Sequence, residues 1–236
     1  MSLIPYTEFK ALFPPTLPVT EEQYAKFATY AARLVEKNAV MNLTAITDPQ
    51  GIAEKHFLDS VLPLTLFDVP EGASLVDVGT GAGFPGVPLA IMRPYIKLTL
   101  VDSLQKRVGF LTELCAMLDI PAECHHLRAE DAGQGSLREI FDVAVARAVS
   151  RLSVLCEYCL PFVKVSGAFL AMKGGECDAE LREAYTAIKT LGGATEKVEK
   201  YALPNGDLRT LIVVRKVSAT PARYPRAQGK IKAKPL

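Results

Sequence analysis

The sequence predicts an α/β fold: a doubly wound, mainly parallel seven-stranded sheet preceded by an N-terminal helical extension. Three observations predict it. From residue 74 onward, short apolar runs alternate with segments of helical period. A glycine-rich loop follows the first run directly, and a carboxylate, Asp102, closes the second. The 236 residues suffice for one large core, with about 70% of the unfolded surface buried.

Residues 1–70 form the extension. Thr20 to Gln23 spells a capping box, and Tyr24, Phe27, Ala28, Ala31, Leu34 and Val35 then recur at helical spacing. Asn42-Leu43-Thr44 lies in a connection. Asp48 as N-cap and Pro49 at the first helical position start another helix. Phe57, Leu58, Val61 and Leu62 give it an apolar side, and His56, Asp59 and Ser60 share another stripe. Residues 71–217 carry the sheet. Strands are expected at 74–78, 97–102, 122–127, 141–146 and 167–172, with helices after Phe84-Pro85, across Leu104 to Leu118, at 150–160 and at 176–190. Residues 197–203 and 208–217 read as a closing hairpin around Pro204-Asn205-Gly206. Residues 218–236, with Pro221, Pro225 and Pro235, are expected to be an extended tail.

The near-neutral charge hides an asymmetry. Of 27 basic residues, five lie in 218–236 beside no acid, so the rest of the chain carries 22 basic against 26 acidic residues. A basic arm on a slightly acidic body suggests a polyanionic partner. No apolar run approaches the roughly 20 residues that cross a bilayer, and the N-terminus has no basic region ahead of an apolar stretch. The five cysteines are expected to be reduced thiols of a cytoplasmic protein. Cys156-Glu157-Tyr158-Cys159 has metal-ligand spacing, but its only possible partners, His125 and His126, are adjacent on a strand and point to opposite faces. Buried structural thiols and no metal are therefore expected.

The strongest signal is Asp77-Val-Gly79-Thr-Gly81-Ala-Gly83-Phe84-Pro-Gly86, placed between a strand and a helix. Glycines there allow a tight turn and let a ligand approach bare backbone. Asp102 ends the next strand, where a carboxylate can accept the hydroxyls of a ribose. Two cofactors fit. Gly81 to Gly86 matches the dinucleotide pattern G-x-G-x-x-G, whereas Asp77 to Gly83 matches the D-x-G-x-G-x-G loop that binds S-adenosylmethionine. Anionic Asp77 is expected to suit the cationic methionine end and to repel a pyrophosphate. The chain also leaves little room beyond residue 146 for a second nucleotide-binding half and a substrate domain. The less favoured alternatives are a small-molecule methyltransferase and an NAD-dependent oxidoreductase.

Further blocks sharpen this reading: Asn42-Leu-Thr44, His56-Phe-Leu-Asp59-Ser60, Val101-Asp-Ser-Leu-Gln-Lys-Arg107, Arg128-Ala-Glu130, Ala146-Arg-Ala148, Ala171-Met-Lys-Gly174 and Tyr224-Pro-Arg226. In this order, across essentially the whole chain, the sequence resembles the RsmG (GidB) family. The resemblance implies a Rossmann-like class I methyltransferase that transfers the methyl group of S-adenosylmethionine to N7 of a guanine in the 530 loop of 16S rRNA. It implies cofactor contacts at Asp77, Gly79, Gly81, Gly83, Phe84, Asp102, Ser103, Ala129 and Glu130, with Arg147 at the boundary between cofactor and substrate. His56 and Asn42 are implied to close the site from the extension, with a plain hydrogen bond from His56 to Asp59 as an equal alternative.

Lys106 and Arg107 stand in the first turns of a helix that Ser103 is expected to cap, where the dipole disfavours cations. They suggest phosphate contacts or a carboxylate partner. Arg223, Tyr224, Arg226, Lys230, Lys232 and Lys234 are the main candidates for binding RNA phosphates. The expected partner is 16S rRNA or the small ribosomal subunit, and a monomer is expected. Guanine N7 is an unprotonated lone pair at neutral pH, so no general base is required. No Asn- or Asp-Pro-Pro-aromatic motif for exocyclic amines occurs, nor a Pro-Cys nucleophile for cytosine C5.

Overall fold

A computed structural model describes residues 3–147 and 150–236. Ala148, which ends the Ala146-Arg147-Ala148 block, lies outside the described residues.

The extension opens with α1 (Tyr6–Ala11) and α2 (Glu21–Met41). The capping box forms as its spelling implies: Gln23 N donates to Thr20 Oγ1 at 3.1 Å, and Thr20 N donates to Gln23 Oε1 at 3.0 Å. α2 stops at Asn42, whose φ of 50° is left-handed, a conformation that asparagine tolerates. Asp48 accepts from Gly51 N at 2.7 Å and starts α3 (Pro49–Gly51). The run then departs from the ordinary helix that its periodicity predicts. It widens to a π-helix over Ile52–Leu58, returns to α4 (Asp59–Val61) and ends as a 3₁₀ turn over Leu62–Thr65. The wide turn buries polar Glu54 and His56 alongside Phe57 and Leu58.

Seven strands form one sheet among the described residues: β1 (Ser74–Val78), β2 (Lys97–Asp102), β3 (Ala122–His126), β4 (Phe141–Arg147), β5 (Val163–Gly174), β6 (Gly193–Ala202) and β7 (Leu208–Lys216), in the order β3-β2-β1-β4-β5-β7-β6. β7 pairs antiparallel with β5 and β6, and the other pairings are parallel. The chain winds from β1 outward through β2 and β3, and from β4 outward on the other side. The crevice of such a sheet opens where these directions part, at the carboxyl ends of β1 and β4.

Alternate strand residues feed two cores. Leu75, Leu98, Leu100, Val143 and Val145 pack with the extension, α5 (Gly86–Met92) and α6 (Gln105–Met117). Val76, Val78, Val101, Ala144 and Ala146 pack with α7 (Ala129–Gln134), α8 (Leu152–Cys159) and α9 (Asp178–Thr190). The extension is therefore built into the first core. Burying both faces explains why the central strands read as continuous apolar runs.

Several expected boundaries shift. β5 starts at Val163 and β6 at Gly193, both earlier than the apolar pattern suggests. The larger correction concerns 218–236, which is not an extended arm. Tyr224 and Ile231 are buried in the second core, and Gln228–Ala233 forms a short helix, α10. Cys156 and Cys159 are buried free thiols. No group of metal-ligating side chains occurs among the described residues, and no described helix is long and apolar enough to cross a membrane.

Candidate functional site

The glycine loop turns at the carboxyl end of β1 with φ of 72° at Gly79 and 104° at Gly83. Nearly every amide in it is already engaged. Gly79 N and Thr80 N donate to Val101 O, Gly81 N to Asp102 Oδ2, Gly83 N and Phe84 N to Thr80 O, and Gly86 N to Asp77 Oδ2. Pro85 has no N–H. A dinucleotide loop needs such amides free for a pyrophosphate, so this loop is poorly suited to one.

Asp77 holds the loop through Oδ2, and its Oδ1 has no hydrogen-bond partner among the described residues. It is fully buried, accepts from Thr80 Oγ1 and Gly86 N at 2.7 Å each, and does not line the cleft. Burial raises its carboxyl to about 7, against the lowering effect of those two hydrogen bonds. It is a staple across the loop, and the case against a dinucleotide rests on the engaged amides instead. Gly83 and Phe84 are buried and do not line the cleft, whereas Gly81 is half-buried with open space where a Cβ would stand.

A cleft of about 340 Å³ opens beyond the loop, and Gly79, Asp102, Ser103, Ala129, Glu130 and Arg147 are among its lining residues. Asp102 holds its floor, accepting from Gly81 N and Leu104 N at 2.9 Å each and facing Arg107 Nη1 at 3.5 Å. Arg107 thus has a carboxylate partner and lines the cleft. Ser103 is not a helix cap: α6 begins after Leu104, which makes no side-chain cap bond, and Asp102 binds the Leu104 amide instead. Bare backbone at Gly79 and a ribose-competent carboxylate at Asp102 fit the nucleoside of S-adenosylmethionine.

A second cavity of about 370 Å³ lies between the extension and the ends of β5 and β7, lined by Lys55, His56, Asp59, Arg147, Lys173 and Arg209 among others. Arg147, the last residue of β4, lines both spaces. Asp59 holds two guanidinium groups, Arg147 Nη1 at 3.2 Å and Arg209 Nε at 3.0 Å. Burial lowers the Arg147 pKa, and Asp59 works against that lowering. His56 does not bind Asp59. Its Nε2 lies 2.7 Å from Thr44 Oγ1, and its ring stacks on Phe84 at 4.5 Å. Burial and then the Arg147 charge lower His56 to about 4, so it is neutral at pH 7. Asn42 is exposed at the end of α2 and lines neither space.

Of the basic candidates, Lys106, Arg223, Lys230, Lys232 and Lys234 are exposed. Tyr224 is buried, and Arg226 forks the fully buried Glu157 through Nε at 2.8 Å and Nη2 at 2.7 Å. These two residues anchor the tail. Arg209, Tyr158 and Gln228 were missed by sequence reasoning. Arg209 meets Asp59 across 150 positions, and no local pattern announces such a pair.

A model of the family GidB, described as rRNA small subunit methyltransferase G, matches residues 23–208. The chain belongs to the GidB family. Ribosomal RNA small subunit methyltransferase G of Lactobacillus delbrueckii subsp. bulgaricus is 50% identical over 224 residues, covering 93% of this chain and 92% of that protein. The Geobacillus thermodenitrificans protein of the same name is 46% identical over 235 residues, covering 98% of each. Among solved structures, the YcgJ protein from Bacillus subtilis matches with a TM-score of 0.53 at 12% identity, over 69% of this chain and all of that one. A SAM-dependent O-methyltransferase from Thermotoga maritima matches with a TM-score of 0.51 at 15% identity, over 78% of this chain and 71% of that one. These two likenesses establish the Rossmann-like methyltransferase fold. As a GidB protein, the chain is a methyltransferase of small-subunit ribosomal RNA with S-adenosylmethionine as its methyl donor. Membership sets aside the oxidoreductase and small-molecule alternatives.

Proposed function

We propose that the chain methylates N7 of a guanine in the 530 loop of 16S rRNA, by in-line displacement without a general base. The observation that carries this reading is the place of Arg147, which lines the cofactor cleft on one side and the second cavity on the other. A base seated in the second cavity would meet the methyl donor at that shared wall.

Bound S-adenosylmethionine supplies an electrophilic sulfonium methyl. Gly79, Asp102, Ser103, Ala129, Glu130 and Arg147 are its proposed contacts. The protein's task is then to align two reactants and keep water out. Guanine N7 brings its own lone pair, and the neutral His56 imidazole adds no positive charge beside a base that becomes cationic. The stack of Phe84 with His56 and Tyr30 gives the shared wall a rigid aromatic backing. Asn42, exposed at the end of α2 and lining neither space, keeps its proposed role in closing the site on the family resemblance alone. Arg223, Lys230, Lys234 and Lys106 offer exposed charge for RNA phosphates. The substrate is the 16S rRNA or the small subunit, met by a monomer in the cytoplasm.

The test is to map 7-methylguanosine in small-subunit rRNA from cells with and without the protein, then restore it with purified enzyme and S-adenosylmethionine. Loss and return of one 7-methylguanosine in the 530 loop is expected. A modified position elsewhere, or a methyl group on another atom, would overturn the reading.

A further inference from the structure

The segment after β7 lies beyond the stretch that the family model matches, residues 23–208. Its path is held by a series of side chains from the body. Lys216 Nζ is buried, pairs with Glu139 Oε1 at 2.9 Å and donates to Thr220 Oγ1 at 2.7 Å. Arg138 donates to Thr220 O at 2.6 Å and Tyr224 O at 2.8 Å, and Gln134 Nε2 donates to Pro225 O at 2.9 Å. Glu157 then takes both the backbone amide and the guanidinium of Arg226. So many anchors on so short a segment fix where α10 comes to rest.

That resting place is the cofactor cleft. Gln228 and Lys232, both on α10, line it together with Tyr158 of α8. Gln228 Oε1 accepts from Arg128 Nη1 at 2.7 Å, and Arg128 directly precedes Ala129 and Glu130 on the cleft wall. With its oxygen engaged, the Gln228 side chain keeps an N–H₂ group to donate. Tyr158 is only 7% exposed, and its hydroxyl has no hydrogen-bond partner among the described residues. A buried hydroxyl without a partner costs free energy, which is the mark of a site arranged for a group brought from outside.

The direction of the cleft says which part of a ligand this end meets. It runs from the β1 loop, past the ribose-competent Asp102, to the residues that follow β3. The end furthest from the loop is where the base of a nucleoside lies. We infer that α10 forms the nucleoside wall of the methyl-donor site, with the Gln228 amide and the Tyr158 hydroxyl as hydrogen-bonding contacts to the adenosine half of S-adenosylmethionine. The basic tail is thus part of the cofactor site as well as a carrier of exposed lysines.

The experiment is calorimetric titration of the full chain and of Gln228→Ala and Tyr158→Phe with two ligands, S-adenosylhomocysteine and 5′-methylthioadenosine, which lacks the amino-acid end. Each variant is expected to weaken both ligands by the same factor, about three- to tenfold, the worth of one hydrogen bond. Unchanged affinity for both ligands in both variants would overturn the inference, as would a loss confined to S-adenosylhomocysteine. Tyr158→Phe keeps the ring and its packing, so it decides the matter even if Gln228→Ala loosens the segment. The titration contains no RNA, so its outcome is independent of which base the enzyme methylates.

Discussion

Arg147 Nη1 lies 3.2 Å from Asp59 Oδ2, joining the end of β4 to the helical extension at the wall between the two cavities. The same guanidinium group donates to Lys55 O at 3.2 Å and lies over the Phe84 ring at 5.1 Å. Asp59→Ala would leave Arg147 and Arg209 facing each other without their shared acid. Removing one partner of a buried pair costs about 3–5 kcal/mol, so urea unfolding should show a loss of that order. Affinity for S-adenosylhomocysteine should fall as well, because Arg147 also lines the cleft proposed to hold the cofactor. A variant as stable and as tight as the parent would contradict this account.

Gly83 has a φ of 104°, and a Cβ there would stand 2.6 Å from Tyr30 Oη, whose hydroxyl donates to Ala82 O. Gly83→Ala is expected to combine backbone strain of about 1–3 kcal/mol with a displaced loop. Its affinity for S-adenosylhomocysteine should fall at least tenfold. Adding Tyr30→Phe should recover only part of the loss, because the strain at residue 83 remains. Full recovery in the double variant would show that the steric clash alone matters.

His56 should give stability a defined pH dependence. Its imidazole has an ordinary value of 6.5 and is lowered to about 4 by burial and by Arg147. Between those values the unfolded chain binds a proton that the folded chain refuses. The contribution is therefore complete above pH 6.5 and is lost as pH falls toward about 4. In that window the unfolding constant should rise by up to about tenfold per pH unit from this group. Urea titrations of the parent and His56→Gln across pH 4 to 7 should diverge accordingly, and parallel profiles would refute it.

Arg226 neutralises a carboxylate that has no access to water, since Glu157 is fully buried. Arg226→Ala should release the tail from the body, and Arg226→Lys should restore little, because an ammonium cannot reproduce the fork. Brief trypsin treatment is the direct check: cleavage at Arg223 and Lys230 should accelerate in both variants. Unaltered cleavage would place the anchoring elsewhere.

The central strands β1, β2 and β4 were legible because they are short, buried on both faces and punctuated by glycine, proline and acid, so pattern and period point the same way. The capping box at Thr20 and the N-cap at Asp48 were legible because each needs only three neighbouring residues. The π turn across Ile52–Leu58 was not, since its apolar residues also satisfy an ordinary helical period. The tail misled for another reason. Three prolines and five basic residues give it the look of a solvated arm, while its docking depends on Tyr224, Arg226 and Ile231. The partner of Arg226 lies 69 residues away. Asp77 was legible as important: the motif fixes where the carboxylate stands, and only the fold shows that its Oδ2 holds the loop while its buried Oδ1 has no hydrogen-bond partner among the described residues.

The position of α10 also orders events during translation. Chains emerge from the ribosome amino end first, and residues 228–233 follow every other residue that lines the proposed cofactor cleft. A nascent molecule can complete its sheet and its glycine loop while this last wall is still threaded through the machine that makes it. An enzyme for ribosomal RNA built this way closes its proposed donor pocket late, after the sheet that carries it has left the ribosome.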